Sequence, residues 1–386
     1  MTRLEDGART DVLVVGGGII GLAVAWRARQ RGLAVTVLDP RPGGGAALVA
    51  AGMLAPVTEL QYGEEPLLHL GIASNRRYAE FAAELAAATG LETGYRATGT
   101  LAVALDADDK AELGELHAFH QRLGLDSTWV TGREARKLEP MLAPGVRGGL
   151  HVADDHQVDG RRLLTALLRA CERAGVVLHR AEAAELLVEH DRAVGVRTGT
   201  GERVTAGRTV LAAGCRSHRL PGLPDGVLPP VRPVKGQILR LRIPAPYRPF
   251  LSRNVRAVVR GAHLYLVPRA DGELVVGATS EEQGYDTTVT AGGVYELLRD
   301  AHELVPGITE LPLVETGAGL RPGSPDNAPL LGPTALPGLV AATGHYRNGV
   351  LLTPVTADLL AEYLATGTVP ALAAPFSPSR FARSSA

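Results

Sequence analysis

The sequence predicts an α/β protein in which a parallel sheet flanked by helices is interrupted by an inserted α+β unit built on antiparallel sheet. Three observations predict it. Two short apolar runs, residues 11–15 and 34–38, flank a single helical stretch near the N-terminus. Residues 232–277 alternate apolar with polar and are rich in turns. A last apolar run, residues 339–342, is followed by an amphipathic stretch that returns the chain to the first pattern.

Runs without polar alternation suit parallel strands buried on both faces, and the helix expected over residues 19–31 completes a right-handed βαβ unit. An Ala-rich amphipathic stretch over residues 67–89 stops at Gly90. A further helix begins at Asp159, whose carboxylate is placed to cap free N–H groups. It carries Leu163, Leu164, Leu167 and Leu168 at helical spacing and ends at Gly175. Short strands are expected at 176–178, 185–188, 193–197 and 209–212. Antiparallel sheet follows, for example Gln237-Ile238-Leu239-Arg240-Leu241-Arg242 and His263-Leu264-Tyr265-Leu266-Val267. After the strand at 339–342 come a loop over 343–349 and a helix over 350–364. The expected division assigns 1–90, 151–225 and 317–372 to the parallel-sheet domain, 91–150 and 226–316 to the inserted domain, and 373–386 to a flexible tail.

Composition narrows the function. Lys+Arg total 40 and Asp+Glu 41, for a formal charge of −1, which gives no general pull toward nucleic acid or anionic membrane. A small-molecule partner is expected. No run of about 18 apolar residues is present to cross a bilayer. The first ten residues include Arg3, Glu5, Asp6 and Arg9 and do not resemble a signal peptide. Cys171 and Cys215 stand far apart without CxxC spacing, so packing rather than disulfide or zinc chemistry is expected, in a reducing cytoplasm.

Gly16-Gly17-Gly18-Ile19-Ile20-Gly21 follows the first strand, opens the first helix and is trailed by Asp39, 18 residues beyond Gly21. Each part has a physical task. Gly16 permits the tight turn, Gly18 lets backbone approach a pyrophosphate, Gly21 allows close helix–strand packing, and the helix N-terminus supplies partial positive charge. Asp39, next to Pro40 at the end of the second strand, can accept from both ribose hydroxyls and repels an NADP-type phosphate. The pattern indicates a dinucleotide and leaves FAD or NAD open.

Six blocks carry a family resemblance. They are the Gly16 motif, Ala50-Ala51-Gly52-Met53-Leu54-Ala55-Pro56, Thr209-Val210-Leu211-Ala212-Ala213-Gly214, Tyr265-Leu266-Val267-Pro268-Arg269, Gly319-Leu320-Arg321-Pro322, and Gly344-His345-Tyr346-Arg347-Asn348-Gly349-Val350-Leu351. From about Asp11 to Leu364 the chain resembles the D-amino-acid-oxidase-like FAD enzymes, and among them the glycine oxidases of the thiamin pathway. The resemblance implies a Rossmann-type FAD-binding domain holding FAD noncovalently, with Ile19, Ile20, Ala51, Gly52, Met53, Ala184 and Gly214 joining the glycines, Asp39 and Pro40. The loop His345, Tyr346, Arg347, Asn348, Gly349, Val350 and Leu351 is expected to wrap the flavin, its N–H groups near N1/O2. Where relatives carry hydroxyl or charged residues before the Ala-Ala-Gly-Met block, this chain has Gly45, Ala46, Ala47 and Leu48, so backbone N–H groups would stand in for side chains at the phosphates.

An amino acid presents a carboxylate, which a bidentate guanidinium binds best. Although 37 of the 40 basic residues are Arg, Arg321 matches the family arginine that pairs with substrate carboxylate, and Tyr265 matches the pocket tyrosine. His263, two residues earlier on the same strand face, and Met53 are candidates for the pocket wall, and Arg347 for its mouth. The implied reaction passes a hydride from the substrate Cα to flavin N5, giving an imine, then 2-oxo acid and ammonia, with dioxygen reoxidising the flavin to hydrogen peroxide. Glycine is the expected substrate, for the thiazole branch of thiamin synthesis, with a homotetramer by resemblance. Sarcosine or a D-amino acid, a dehydrogenase using another acceptor, and a noncatalytic FAD-binding subunit stay open.

Overall fold

The computed structural model describes residues 10–259 and 261–381. One sheet runs in the order Val177–His179, Val35–Leu38, Thr10–Val15, Arg203–Leu211, Leu339–Thr343, all parallel, and is closed at one edge by antiparallel Leu330–Pro333. Its strands lack alternation because both faces are covered. Val12, Val14, Val35 and Val37 pack beneath the helices Ile19–Gln30, Gly160–Arg173 and Thr353–Thr366. Leu13, Val15, Leu38 and Leu211 face the opposite way, against Leu186, Val196, Leu220 and Val231. That second layer includes the hairpin Ala183–Glu189 and Arg192–Thr198.

Local signals behave as their chemistry requires. The Asp159 carboxylate accepts from Arg161 N at 2.9 Å and Arg162 N at 3.2 Å, capping the helix that follows. The long helix Glu65–Thr89 stops where Gly90 turns left-handed at φ 73.

The other large sheet has the order Leu313–Gly323, Arg232–Arg242, Glu273–Gly277, Ala262–Pro268, Asn254–Val259, Thr100–Ala104, Gly148–Val152, Thr128–Thr131. It is antiparallel except where Asn254–Val259 runs parallel to Thr100–Ala104. Alternation sorts its faces. Leu239, Leu241, Leu264, Leu266, Leu274 and Val276 pack against the helix Ala291–Leu304. Ile238, Val267 and Val275 point the other way, onto Ala51 of the first half of the molecule. The candidate residues Tyr265 and Arg321 stand on this second face.

Three expectations are corrected or extended. The terminal helix begins at Thr353, not residue 350, because a short turn, Tyr346–Asn348, precedes it and Leu352 N bonds Asn348 O at 2.8 Å before regular winding starts. The segment from residue 373, expected to be a loose tail, is docked through Phe381. Ala373 and Phe376 are buried in the main core, and Arg380 grips Asp326 at 2.8 Å. Residues 1–9, read above as unlike a signal peptide, and 382–386 lie outside the described residues. Residues 91–150, assigned no elements in advance, supply three strands of the second sheet and the helix Ala107–Arg122.

Both cysteines are buried. Cys171 Sγ donates to Leu22 O at 3.3 Å, and Cys215 Sγ lies 3.7 Å from Leu320 O. Burial pushes the Cys171 thiol far up and the Cys215 thiol to about 11. Among the described residues no helix is long and apolar enough to cross a membrane.

Candidate active site

The N-terminal glycine turn is shaped for a ligand. Gly16 has φ +111, and a β-carbon there would lie 2.5 Å from Ala212 O; one on Gly21 would overlap Gly16 O. At Gly18 the nearest atom is Gly44 O, 4.0 Å away, so the surface there is open. The helix Ile19–Gln30 has no capping side chain and no acid in its first turn. Among the described residues the N–H groups of Ile19 and Ile20 meet no protein acceptor. The Asp39 carboxylate accepts from Gly17 N at 2.7 Å and Arg41 N at 2.6 Å, which holds it, with Pro40 beside it, at the edge of this turn. Gly43 N bonds Gly17 O at 2.9 Å, and Leu48 O is held by Arg161 Nε at 2.7 Å and Arg240 Nη2 at 3.2 Å. The N–H groups of Gly45, Ala46 and Ala47 between these anchors also meet no protein acceptor among the described residues. Gly214, with φ +55, accepts from Thr343 Oγ1 at 3.0 Å; Ala184 lies on the strand Ala183–Glu189.

Next to the turn, the 50–56 block is clamped from the second sheet. Gly52 has φ +72, leaves no room for a β-carbon against Val158 O, and accepts from Val158 N at 2.8 Å. The buried Arg269 guanidinium donates to Ala51 O, to Gln157 Oε1 at 2.9 Å and to Val158 O at 3.0 Å. Desolvation pulls its pKa to about 10, so it stays charged at neutral pH. Met53 and Tyr265 each pack against the buried cluster of Ala51, Ile238, Val267 and Val275.

Arg321 and Tyr265 come together on this face. Arg321 stands on Leu313–Gly323 opposite Val234, its guanidinium lying across Gly236. Its Nη1 donates to Thr279 O at 3.1 Å and Lys235 O at 3.3 Å. Among the described residues no carboxylate pairs with it. Tyr265 lies opposite Gly277, where a β-carbon would be 2.5 Å from the tyrosine hydroxyl, so the ring covers that glycine. Burial pushes the phenol pKa up, and Arg321, within hydrogen-bonding reach, opposes that only in part. The hydroxyl is therefore neutral and able to donate at physiological pH.

Beyond Tyr265 the rim is charged. Arg347 Nη2 contacts Glu59 O and Glu64 Oε2, each at 3.1 Å, and Arg256, the cross-strand partner of Tyr265, pairs with Glu59. His263 is exposed on the same strand face; desolvation and the nearby Arg256 lower its pKa. Arg256, Glu59 and the Arg269 clamp are marked by no motif of their own, although Arg269 closes a block that carried the resemblance.

The last wall is the 345–351 loop. His345 is buried, bonds Thr356 Oγ1 through Nε2 at 3.1 Å, and is held neutral, its pKa pushed down to about 3 by burial. Tyr346 adopts φ 47. Asn348 N bonds His345 O at 2.8 Å, whereas the N–H groups of Gly349, Val350 and Leu351 meet no protein acceptor among the described residues.

A family model described as FAD dependent oxidoreductase (DAO) matches residues 11–363. The chain belongs to this family. It is 38% identical over 376 residues to the bifunctional protein ThiO/ThiG of Synechocystis sp., covering 96% of this chain and 54% of that protein. The chain thus spans about half the length of the ThiO/ThiG relatives it matches. The glycine oxidase of Geobacillus kaustophilus is 34% identical over 376 residues, covering 96% of this chain and 97% of the relative. A crystal structure of glycine oxidase from that organism superposes with TM-score 0.89 over 96% of this chain and 99% of the other, at 34% identity. The residues present fit FAD: among the described residues, the backbone N–H groups at Ile19–Ile20, Gly45–Ala47 and Gly349–Leu351 lack protein acceptors, and Gly18 is open between the first two sets.

Proposed function

We propose that this chain catalyses FAD-dependent oxidative deamination of a small amino acid, glycine first, giving 2-oxo acid, ammonia and hydrogen peroxide. The observation that carries this is Arg321, a half-buried guanidinium held by two backbone carbonyls, with no carboxylate partner among the described residues, beside a neutral phenol. An unpaired cation so placed is costly unless an anionic ligand completes it. Relatives named glycine oxidase, aligned over nearly the whole of both chains, favour the amino acid as that ligand. When bound, FAD supplies the two-electron acceptor that dioxygen regenerates.

The protein's own residues bind, orient and exclude water. Arg321 takes the carboxylate in a bidentate grip, and the Tyr265 hydroxyl donates to one of its oxygens, fixing the Cα relative to the 50–56 block. Met53, Ala51, Ile238 and Val267 form the apolar wall that keeps this grip dry. Asp39 and the free N–H groups of the glycine turn would hold the dinucleotide end of FAD, and those of Gly349–Leu351 would donate to the edge of its ring. In this reading 1–90, 151–225 and 317–372 serve the cofactor, and 91–150 and 226–316 the substrate. By the same family resemblance the product serves the thiazole branch of thiamin synthesis. The test is the visible spectrum of the FAD-loaded protein before and after anaerobic glycine, with peroxide release measured for glycine, sarcosine and D-alanine. Bleaching by glycine and faster peroxide release with it are expected; inertness toward all three amines sinks the oxidase reading.

A further inference from the structure

The rim beside Tyr265 holds two arginines and two glutamates whose charges cancel. Glu59 is central. Its carboxylate pairs with Arg256 and lies 3.9 Å from Arg347 Nε, while its carbonyl accepts from Arg347 Nη2. Glu64 takes Arg347 at 3.1 Å. These residues come from separate segments: the strand Asn254–Val259, the stretch after Pro56, and the turn Tyr346–Asn348.

Arg256 is directly opposite Tyr265 in the antiparallel pair, and its Nη1 lies 3.9 Å from Met53 Sδ. Opposed residues share a sheet face with β-carbons about 5 Å apart, so Arg256 projects over the same face as the tyrosine. The Tyr265 phenol feels both Arg256 and Glu59. Left alone, Arg256 would offer a second anion a bidentate site across the strand pair from Tyr265. Glu59 closes that site, because a ligand's second carboxylate must displace it from Arg256 and leave it, at 17% side-chain exposure, with only the longer 3.9 Å contact to Arg347.

We propose that Arg256 is a latent second anion-binding group of this pocket, and that Glu59, by pairing with it, sets a preference for amino acids with one carboxylate over dicarboxylic amines. The inference rests on the amino-acid oxidase reading. It is tested by the ratio of kcat/KM for iminodiacetate to that for glycine, measured as peroxide release. Glu59→Gln, close in shape but unable to neutralise Arg256, raises the ratio by about tenfold or more. The double variant Glu59→Gln/Arg256→Gln returns it toward the wild-type value. An unchanged ratio in the single variant, or a gain that survives removal of Arg256, overturns the proposal; a merely structural role lowers both activities together. Should Glu59→Gln not fold, Arg256→Gln alone decides. It leaves Glu59 beside the pocket with only the longer Arg347 contact, so a second carboxylate is repelled and the ratio falls by about tenfold; an unmoved ratio is fatal. A wild type inert toward both amines sinks the oxidase reading and this inference with it, whereas an active wild type with unmoved ratios sinks the inference alone.

Discussion

Arg321 lies flat across Gly236, where a β-carbon would fall 2.6 Å from the guanidinium Cζ. The absence of a side chain at position 236 therefore sets where the arginine can rest. Gly236→Ala is expected to push the guanidinium off its carbonyl anchors and raise the KM for glycine by about tenfold while flavin content is retained. Arg321→Ala removes the grip altogether and is expected to cost about 3 kcal/mol in kcat/KM, roughly a hundredfold. Steady-state peroxide assays on flavin-matched preparations measure both; unchanged activity in Arg321→Ala would show that this guanidinium does not hold the substrate carboxylate, and a wild type without activity would point to a noncatalytic flavin-binding subunit.

Two glycines of the N-terminal turn separate folding from cofactor binding. A methyl group at Gly18 meets nothing nearer than 4.0 Å, so Gly18→Ala folds but crowds the ligand that belongs there. A methyl group at Gly21 overlaps Gly16 O and has no room in the fold. The first variant should purify as a folded, colourless protein with FAD affinity reduced by at least about tenfold, and the second should be lost to aggregation. Circular dichroism with flavin fluorescence distinguishes the outcomes.

Arg269 ties Ala51, Gln157 and Val158 together. Arg269→Met leaves three buried acceptors facing an apolar chain, and a loss of about 2–4 kcal/mol in stability is expected, with weaker FAD retention. Chemical denaturation with and without added FAD reads both effects. Arg269→Lys should recover only part, since an ammonium lacks the planar fork.

Acid should loosen the fold through His120. The ring is buried, bonds Val57 O at 3.1 Å and Ser127 Oγ at 3.0 Å, and desolvation pushes its pKa to about 4. Because the folded value lies below the ordinary 6.5, the unfolded chain binds the extra proton. The stabilisation is present above about pH 6.5 and is lost as pH falls toward 4, up to about 3 kcal/mol. Asp155 works in the opposite sense. Burial lifts its carboxyl to about 6, so its contribution is complete at low pH and is lost as pH rises through 6. The measurement is therefore a difference: His120→Gln against wild type at pH 5 and pH 7.5, with the variant showing the smaller loss on acidification.

Much of the parallel half was legible because its code is local. The Gly16–Gly21 spacing, Asp39 after an apolar run, and Asp159 ahead of leucines at helical spacing each specify a turn or cap within a few residues. The antiparallel face of Tyr265 was legible from alternation. What was not legible depends on contacts between distant segments. Thr100–Ala104 joins Asn254–Val259 across about 150 residues of chain, and nothing periodic announces that partner. Glu59 looked like one acid among many until the fold set Arg256 and Arg347 on either side of it. The docked terminus was misread because Ser, Pro and Arg dominate its composition, while one buried aromatic, Phe376, decides its fate.

The depth of the two cysteine sulfurs takes on meaning under the proposed reaction, which releases an oxidant. Thiolate, not thiol, reacts quickly with peroxide, and access governs the rate as much as charge. Cys171 and Cys215 are both shielded and both held protonated far above neutral pH. Under the proposed reaction the chain can turn over in its own peroxide without sulfenic acid building up on its cysteines, and its working lifetime passes to the methionine of the candidate pocket, Met53.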